Sequence, residues 1–451
     1  MSKINLEKSN TIYRELHGEI DRIESAFQSQ LVVSDTPTKM LFDFSGGPCV
    51  TSLGHSNDEL KDSIRQQLLE VPYVYSGFWG THASEELGDL LKEEFEATWP
   101  GWFGKAAFAC SGNEGVEFAL RIAAQYWLER GEDKHMFGVR KSSFHGVSLL
   151  TSAITDDYGR YTLMTPFYKK ARKGYVVRLP GYSRFDVSKF SEETIIKSTE
   201  LLIEKHKKDL AAVIIETVGG PPVGAYPPSR KYLASLRKAC NKHKVLLIFD
   251  EVLCGSGRVG AFTAGQLFDV QPDIVVLGKG ITSGYVPLSA VVVSSKIINT
   301  ISKKSGVMMV GTTYFDHPTL CACAVATLKY LKKHRLIEKV SREGFNLQIV
   351  LEQELSSIPI VKNVTGKGFL IGIELTKPDG KFFAPELQVH KMVRSALYDA
   401  GIVTYSKGQT INGKGDFVIL APPFTTEYAF LLEKAREMAY PIAEVAMRLG
   451  Y

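Results

Sequence analysis

The sequence predicts an α/β fold built on a mainly parallel sheet, and three observations point to it. Two buried-looking apolar runs of strand length, Val245–Phe249 and Ile274–Leu277, are rich in branched residues. Each ends in an ionisable residue, Asp250 after the first and Lys279 after the second. A third run, Ala211–Ile215, ends in Glu216 and leads through a turn-rich GGPPVGAYPPS and an expected helix, about Arg230 to His243, back to the Asp250 strand. A strand–helix–strand unit of this length implies a parallel crossover.

In an open α/β sheet, ligands bind outside the carboxyl ends of the strands. An Asp or a Lys closing a strand is, taken singly, most often a solvated turn residue. A carboxylate and an amine delivered together to neighbouring strand ends are what a Schiff-base enzyme needs. The lysine condenses with an aldehyde cofactor, and the aspartate keeps the cofactor's pyridine nitrogen protonated.

Composition narrows the field. A chain of 451 residues has room for more than one domain and a large core, and 44% hydrophobic with 23% charged residues is ordinary for a globular protein. The net charge of +5 is mild and the basic residues are dispersed; a cluster such as Lys332–Arg335 reads as solvated surface, so no nucleic-acid partner is expected. No apolar run reaches the length of a membrane span, and the charged N-terminal segment lacks a signal-peptide apolar region. The six cysteines form no CxxC pairs, so reduced, mostly buried thiols, no metal site and a cytoplasmic location are the expectation.

Along the chain, Ile12, Leu16, Ile20, Ile23 and Phe27 recur at helical spacing and predict a packing helix over residues 10–28. A strand at Met40–Phe44, a turn and a helix from Asp58 to Glu70 follow. The strand Ala106–Cys110 meets Ser111-Gly112-Asn113, which opens an amphipathic helix from about Glu114 to Glu129. Such a turn offers unpaired N–H groups and the positive helix end to a phosphate, although capping by Ser111 or Asn113 explains the same residues. Gly255-Ser256-Gly257-Arg258-Val259-Gly260 matches a dinucleotide-binding fingerprint letter for letter. It starts too late after its strand, however, and AFTAGQLF is too short for the helix required. A nicotinamide-dependent oxidoreductase is therefore a distant alternative. A long helix from about Leu320 to Lys333 leads into a C-terminal region with GKGFLIGIEL and DFVILAPPF as strands.

The order Asp-Glu-Val, Gly-x-Gly-Arg and Pro-Asp…Gly-Lys-Gly within Val245–Gly280 resembles the class III aminotransferases of the ω-amine:pyruvate type. These are pyridoxal-phosphate (PLP) enzymes of fold type I, and the resemblance covers nearly the whole chain. It implies a large PLP-binding domain over 76–318 with a mainly parallel, seven-stranded-type sheet flanked by helices. Residues 1–75 and 319–451 would form a smaller α+β domain. Lys279 is then the Schiff-base lysine and general base, and Asp250 the partner of the pyridinium. Ser111, Gly112 and Asn113 match the phosphate cup, with Gly115 where the family has Ala. Phe144 and Val252 would sandwich the ring, His145 belongs to the aromatic-His-Gly signature, and Glu216 lies close to the Asp. Thr313 would reach the phosphate of the neighbouring subunit's cofactor, which implies a homodimer with sites at the interface. Gly47, Pro48, Tyr75, Trp79 and Val147 are assigned to the substrate pocket. Gly47-Pro48 replaces a bulky Leu-Trp pair, which should enlarge it. The carboxylate-binding arginine of relatives has no counterpart in 405–416, where only Lys407 and Lys414 are basic. The implied reaction is ping-pong amino transfer from an amine donor to a keto acid, pyruvate being the preferred acceptor. A phospho-lyase, racemase or aminomutase on the same scaffold is the alternative.

Overall fold

The central sheet of the computed structural model runs in the order Phe103–Ala109, Ser289–Ser294, Ile274–Leu277, Leu246–Glu251, Leu210–Glu216, Met136–Arg140, Val176–Leu179. All strands but Ser289–Ser294 point the same way; that one pairs antiparallel with both neighbours. The structure describes residues 3–33, 38–157 and 163–451. Every residue of Leu210–Glu216 and Leu246–Glu251 is buried, which is why these strands read as continuous apolar runs. Alternate side chains go to opposite faces. Ile214, Ile248 and Val276 share a core with Val116, Leu120 and Ala123 of the helix Gly112–Leu128. Val213, Ile215, Leu247 and Phe249 pack with Tyr232, Leu233 and Leu236 of the helix Arg230–Lys242 on the other side.

A second, antiparallel sheet joins Val361–Lys367, Leu370–Leu375, Lys414–Leu420 and Tyr405–Ile411. A third mixes the two ends of the chain: Ile402–Val403 lies parallel to Lys39–Asp43, which continues to Gln30–Val33 and Ile23–Phe27. Helices Pro318–Lys333 and Leu336–Leu355 carry the chain between the central sheet and the antiparallel one. All six cysteines are free; five are buried and Cys110 is half-buried. Among the described residues no helix is long and apolar enough to cross a membrane.

The helix expected over residues 10–28 does not form. Gly18 adopts φ +93° and its carbonyl accepts from the Leu6 N–H, folding the chain into the strand pair Lys3–Asn5 and Glu19–Asp21. Ile23–Phe27 then hydrogen-bonds to Gln30–Val33. Among the described residues the apolar stripe is left largely uncovered: Ile12 is 90% exposed and Leu16 62%. Sheet pairing with a neighbour outweighed a helical period that had no core to face.

Candidate active site

Parallel register sets the site. Asp250 is level with Glu216 on one side and with Val276 on the other, so the Asp250 and Glu216 carboxyls leave the sheet side by side and Lys279 follows just past the adjacent strand end. His145 Nδ1 lies 2.8 Å from Asp250 Oδ2, both side chains being buried. Against an ionised carboxylate, which can only accept, that nitrogen carries the hydrogen. The Val252 N–H donates to the other oxygen, Oδ1, at 3.2 Å. Glu216 accepts from the Phe144 N–H at 3.4 Å, while Arg140 donates to the Glu216 carbonyl. Burial pushes the Glu216 carboxyl up to about 7; the charge of Asp250 adds to that, and His145 and Arg140 pull against it. Lys279 opens a short 3₁₀ turn, Lys279–Ile281, with its backbone in the left-handed region at φ +44°.

The helix Gly112–Leu128 aims its N-terminus at the same place. Ser111 caps it, its Oγ accepting from the Glu114 N–H at 3.2 Å, and Ser289 Oγ donates to the Ser111 carbonyl at 2.7 Å. Gly112 and Asn113 are the first helical residues, whose N–H groups have no carbonyl one turn back. A Cβ on Gly112 would stand 2.7 Å from Val252 Cγ1 and one on Gly278 3.1 Å from the same atom, so Val252 fits only because both positions are glycine. The Asn113 side chain is directed elsewhere. Its Oδ1 accepts from the N–H groups of Val147 (2.7 Å) and Ser148 (3.1 Å) and from Thr151 Oγ1 (2.8 Å), tying down the loop that carries Phe144 and His145.

These groups surround a cavity of about 310 Å³. Of the residues picked out in the sequence, Pro48, Gly112, Asn113, Phe144, His145, Val147, Glu216, Asp250, Val252 and Lys279 line it. Ser111 lies just outside as the cap. Gly47, Tyr75, Trp79 and Thr313 do not line it in the single chain. Tyr75 and Trp79 join Phe78 in an exposed aromatic group, and exposed Thr313 accepts from the Tyr73 hydroxyl at 2.9 Å through its carbonyl. Sequence reasoning missed Asp157, which forms a 2.9 Å ion pair with Lys407 on the cavity wall, and the apolar residues Val218, Pro221, Pro222 and Leu253.

Arg258 of the glycine-rich segment is not in the cavity. It is buried against the ring of Phe424 and donates to the carbonyls of Pro422 (2.6 Å) and Phe369 (3.3 Å) and to Ser52 Oγ (3.1 Å). The helix after it, Ala264–Leu267, is a single turn, unlike the long helix a dinucleotide needs.

The site fits pyridoxal phosphate. A buried carboxylate held by two donors suits a protonated ring nitrogen, the glycine-lined helix start leaves room for a phosphate, and an amine stands at the next strand end. The sequence matches the family described as aminotransferase class-III over residues 25–438. The chain is 34% identical over 401 residues to an uncharacterised aminotransferase, YodT, of Bacillus subtilis (strain 168), covering 87% of this chain and 88% of that one. It is 28% identical to the mitochondrial gamma aminobutyrate transaminase 1 of Solanum lycopersicum, over 92% of this chain and 80% of the relative. The crystal structure of a transaminase from the marine bacterium Virgibacillus superposes with a TM-score of 0.89 at 25% identity, covering 99% of both chains. The taurine:2-oxoglutarate aminotransferase of Bifidobacterium kashiwanohense, solved with PLP and glutamate, shares the fold with a TM-score of 0.85 at 23% identity, over 98% of this chain and 97% of that one. With strand ends, helix start and lysine arranged as that chemistry requires, the chain belongs to the class-III aminotransferases and is a PLP-dependent, fold type I transaminase.

Proposed function

We propose that the enzyme moves an amino group from a primary amine or ω-amino compound, bulky ones included, to a keto acid such as pyruvate by a ping-pong mechanism. The observation that carries the donor assignment is the cavity wall made by Val218, Pro221, Pro222 and Leu253, an apolar lining suited to a carbon chain. The turn at Gly47-Pro48 adds no bulk: a Cβ on Gly47 would meet nothing within 4 Å among the described residues. The kinship with a gamma aminobutyrate transaminase supports a primary amine at the end of a chain as donor.

When bound, PLP supplies an electron sink for the charge that develops on the substrate carbon. In this reading Lys279 Nζ takes the proton from that carbon and returns it as general base and acid. Asp250, oriented by His145 and the Val252 N–H, holds the proton on the ring nitrogen. Val252 and Phe144 confine the ring, and the helix start at Gly112 and Asn113 binds the phosphate. We assign residues 76–318 to the cofactor-binding unit, with 1–75 and 319–451 as the smaller one. The active form is a homodimer in which Thr313, exposed beside Tyr73 and Tyr314, serves the partner's phosphate.

The test is the visible absorption of the PLP-loaded enzyme with a panel of amines and no acceptor. Bleaching by amines and recovery on adding pyruvate is the expected result. A band that persists while ammonia is released would replace amino transfer with elimination.

A further inference from the structure

A basic groove of about 860 Å³ lies on the antiparallel sheet and shares no lining residue with the cofactor cavity. Lys362, Lys377, Lys381 and Lys414 line it, together with Arg184 and Lys189 of the short helix Arg184–Lys189. The lining has one carboxylate, Glu374, 3.7 Å from Arg184 Nε; burial pushes that carboxyl up, against the pull of Arg184 and Lys362. Lys381 pairs with Asp379 at 2.8 Å. Among the described residues Lys189, Lys362, Lys377 and Lys414 form no ion pair, so the groove carries a surplus of positive charge. The lysines of helix Pro318–Lys333 show the ordinary alternative, in which surface charges interleave. There Lys332 pairs with Glu93 at 2.6 Å and Lys333 with Glu59 at 2.8 Å.

Backbone geometry sets these cations in a row. Strand Leu370–Leu375 lies between Val361–Lys367 and Lys414–Leu420, so the strands of Lys362 and Lys414 are two spacings, about 10 Å, apart. Lys362 is the extra residue of a bulge between Val361 and Asn363, a device that re-aims a side chain. Lys414 follows the tight hairpin turn at Asn412 and Gly413, both at positive φ. Lys377 extends the middle strand and turns back on Lys381, whose carbonyl accepts from the Lys377 N–H at 2.9 Å. A lysine on an edge strand deters further pairing, but that accounts for Lys362 alone, since Lys414–Leu420 is an inner strand. Phe185 and Phe382 belong to the same lining, their rings 5.4 Å apart and tilted by 34°, with Lys189 Nζ 4.0 Å from the centre of the Phe185 ring.

We infer that this groove binds an oligophosphate, either an inorganic chain or the tail of a nucleotide. Unpaired cations gathered in one concavity repel one another and focus their field on whatever anion enters. A single phosphate meets only part of a row about 10 Å long, whereas a chain of linked phosphates meets all of it. Lysine binds phosphate as a point charge and needs no fixed fork geometry, which suits a flexible chain. The aromatic pair separates the two sources, because only a nucleotide brings a flat ring to stack on it. The inference is independent of which amine and which acceptor the enzyme uses.

The experiment is calorimetric titration of the PLP-loaded enzyme, whose cofactor site is filled, in the absence of divalent cations. The probes are inorganic phosphate, tripolyphosphate, ATP and an oligoglutamate peptide. Tripolyphosphate is expected to bind about tenfold or more tighter than phosphate at low salt, and to weaken steeply as salt is added. Lys362→Gln with Lys377→Gln and Lys414→Gln should lose most of that affinity. Lys329→Gln with Lys332→Gln and Lys333→Gln removes the same charge from helix Pro318–Lys333 and should keep it. Both triple variants should retain the cofactor's visible band, which verifies folding. ATP binding tighter than tripolyphosphate, with the excess lost in Phe382→Leu, assigns the nucleotide; ATP binding no tighter assigns the inorganic chain. Tripolyphosphate binding no tighter than phosphate to the unaltered enzyme overturns the inference whether or not the variants fold. Equal loss in the two triple variants overturns it as well, as does release of PLP during the titration, which would put the anion in the cofactor's place. An oligoglutamate peptide that binds as tightly as tripolyphosphate would replace the oligophosphate with an acidic protein segment.

Discussion

His145 Nδ1 stands 2.8 Å from Asp250 Oδ2, so the carboxylate assigned to the cofactor nitrogen is itself held by a buried imidazole. Removing that imidazole leaves Asp250 with the Val252 N–H as its other hydrogen bond at 3.2 Å. His145→Ala should lower stability by about 1–3 kcal/mol in urea unfolding and weaken PLP binding in a titration followed by absorbance. Asp250→Asn keeps the shape and loses the charge. It should fold normally, yet cut transaminase turnover by about a hundredfold or more, in line with losses of preorganised electrostatics elsewhere. Near-normal turnover would mean that the ring nitrogen does not depend on this residue.

Lys279→Ala should lose transamination altogether while PLP still binds without a covalent link. Borohydride reduction followed by mass spectrometry checks it: the cofactor's mass should be added to the unaltered chain and not to the variant. Retained turnover in the variant would refute the assignment of Lys279.

The carboxyl of Glu216 gives a pH dependence of known sign. Its folded value is about 7 against an ordinary 4.5. Between these values the folded chain keeps a proton that the unfolded chain releases, so the group's contribution is fully present below about pH 4.5 and is lost as pH rises through about 7. The whole effect is on the order of 3 kcal/mol. Glu216→Gln should make this part of the profile shallower, seen as urea midpoints of cofactor-free protein that fall less steeply between about pH 5 and about pH 8; the Asp316 carboxyl, which burial also pushes up to about 7, keeps its own share of the fall. An unchanged slope would place the titration on another group.

The family resemblance implies an alanine where Gly115 stands, and the structure supplies a reason for the glycine. An added Cβ would lie 2.7 Å from Ser289 Oγ and 2.9 Å from Val276 Cγ1, and Ser289 is engaged in holding the Ser111 carbonyl. Helix propensity favours Gly115→Ala by about 1 kcal/mol, whereas overpacking costs about 1–3 kcal/mol. The clash should win, lowering the melting temperature. A rise would show that Ser289 gives way.

What could be read from the sequence follows from where the information is local. Asp250, Glu216 and Lys279 were legible because each closes an apolar run, and parallel register then brings them together without further instruction. The helix start at Gly112 was legible for the same reason, although the Asn113 side chain turned out to secure the His145 loop through Val147, Ser148 and Thr151. Pairs far apart in the chain were not. Nothing local separates Asp157 from Asp156, and nothing local separates Lys407 from Lys414, the two basic residues named in 405–416, until strand Tyr405–Ile411 sets Lys407 beside Asp157 on the cavity wall. The N-terminal stripe failed for the opposite reason: its period was real, but a period specifies a helix only where a core exists to receive it.

The left-handed backbone of Lys279 has an evolutionary corollary. A lysine at φ +44° sits in a region that glycine enters freely and that other residues occupy at a cost of order 1–3 kcal/mol. Selection for robustness alone would therefore drift position 279 toward glycine and leave a sturdier, inert protein. Libraries of this enzyme ranked by heat resistance should be enriched in dead clones at that codon, so thermostability campaigns need an activity counter-screen from the first round.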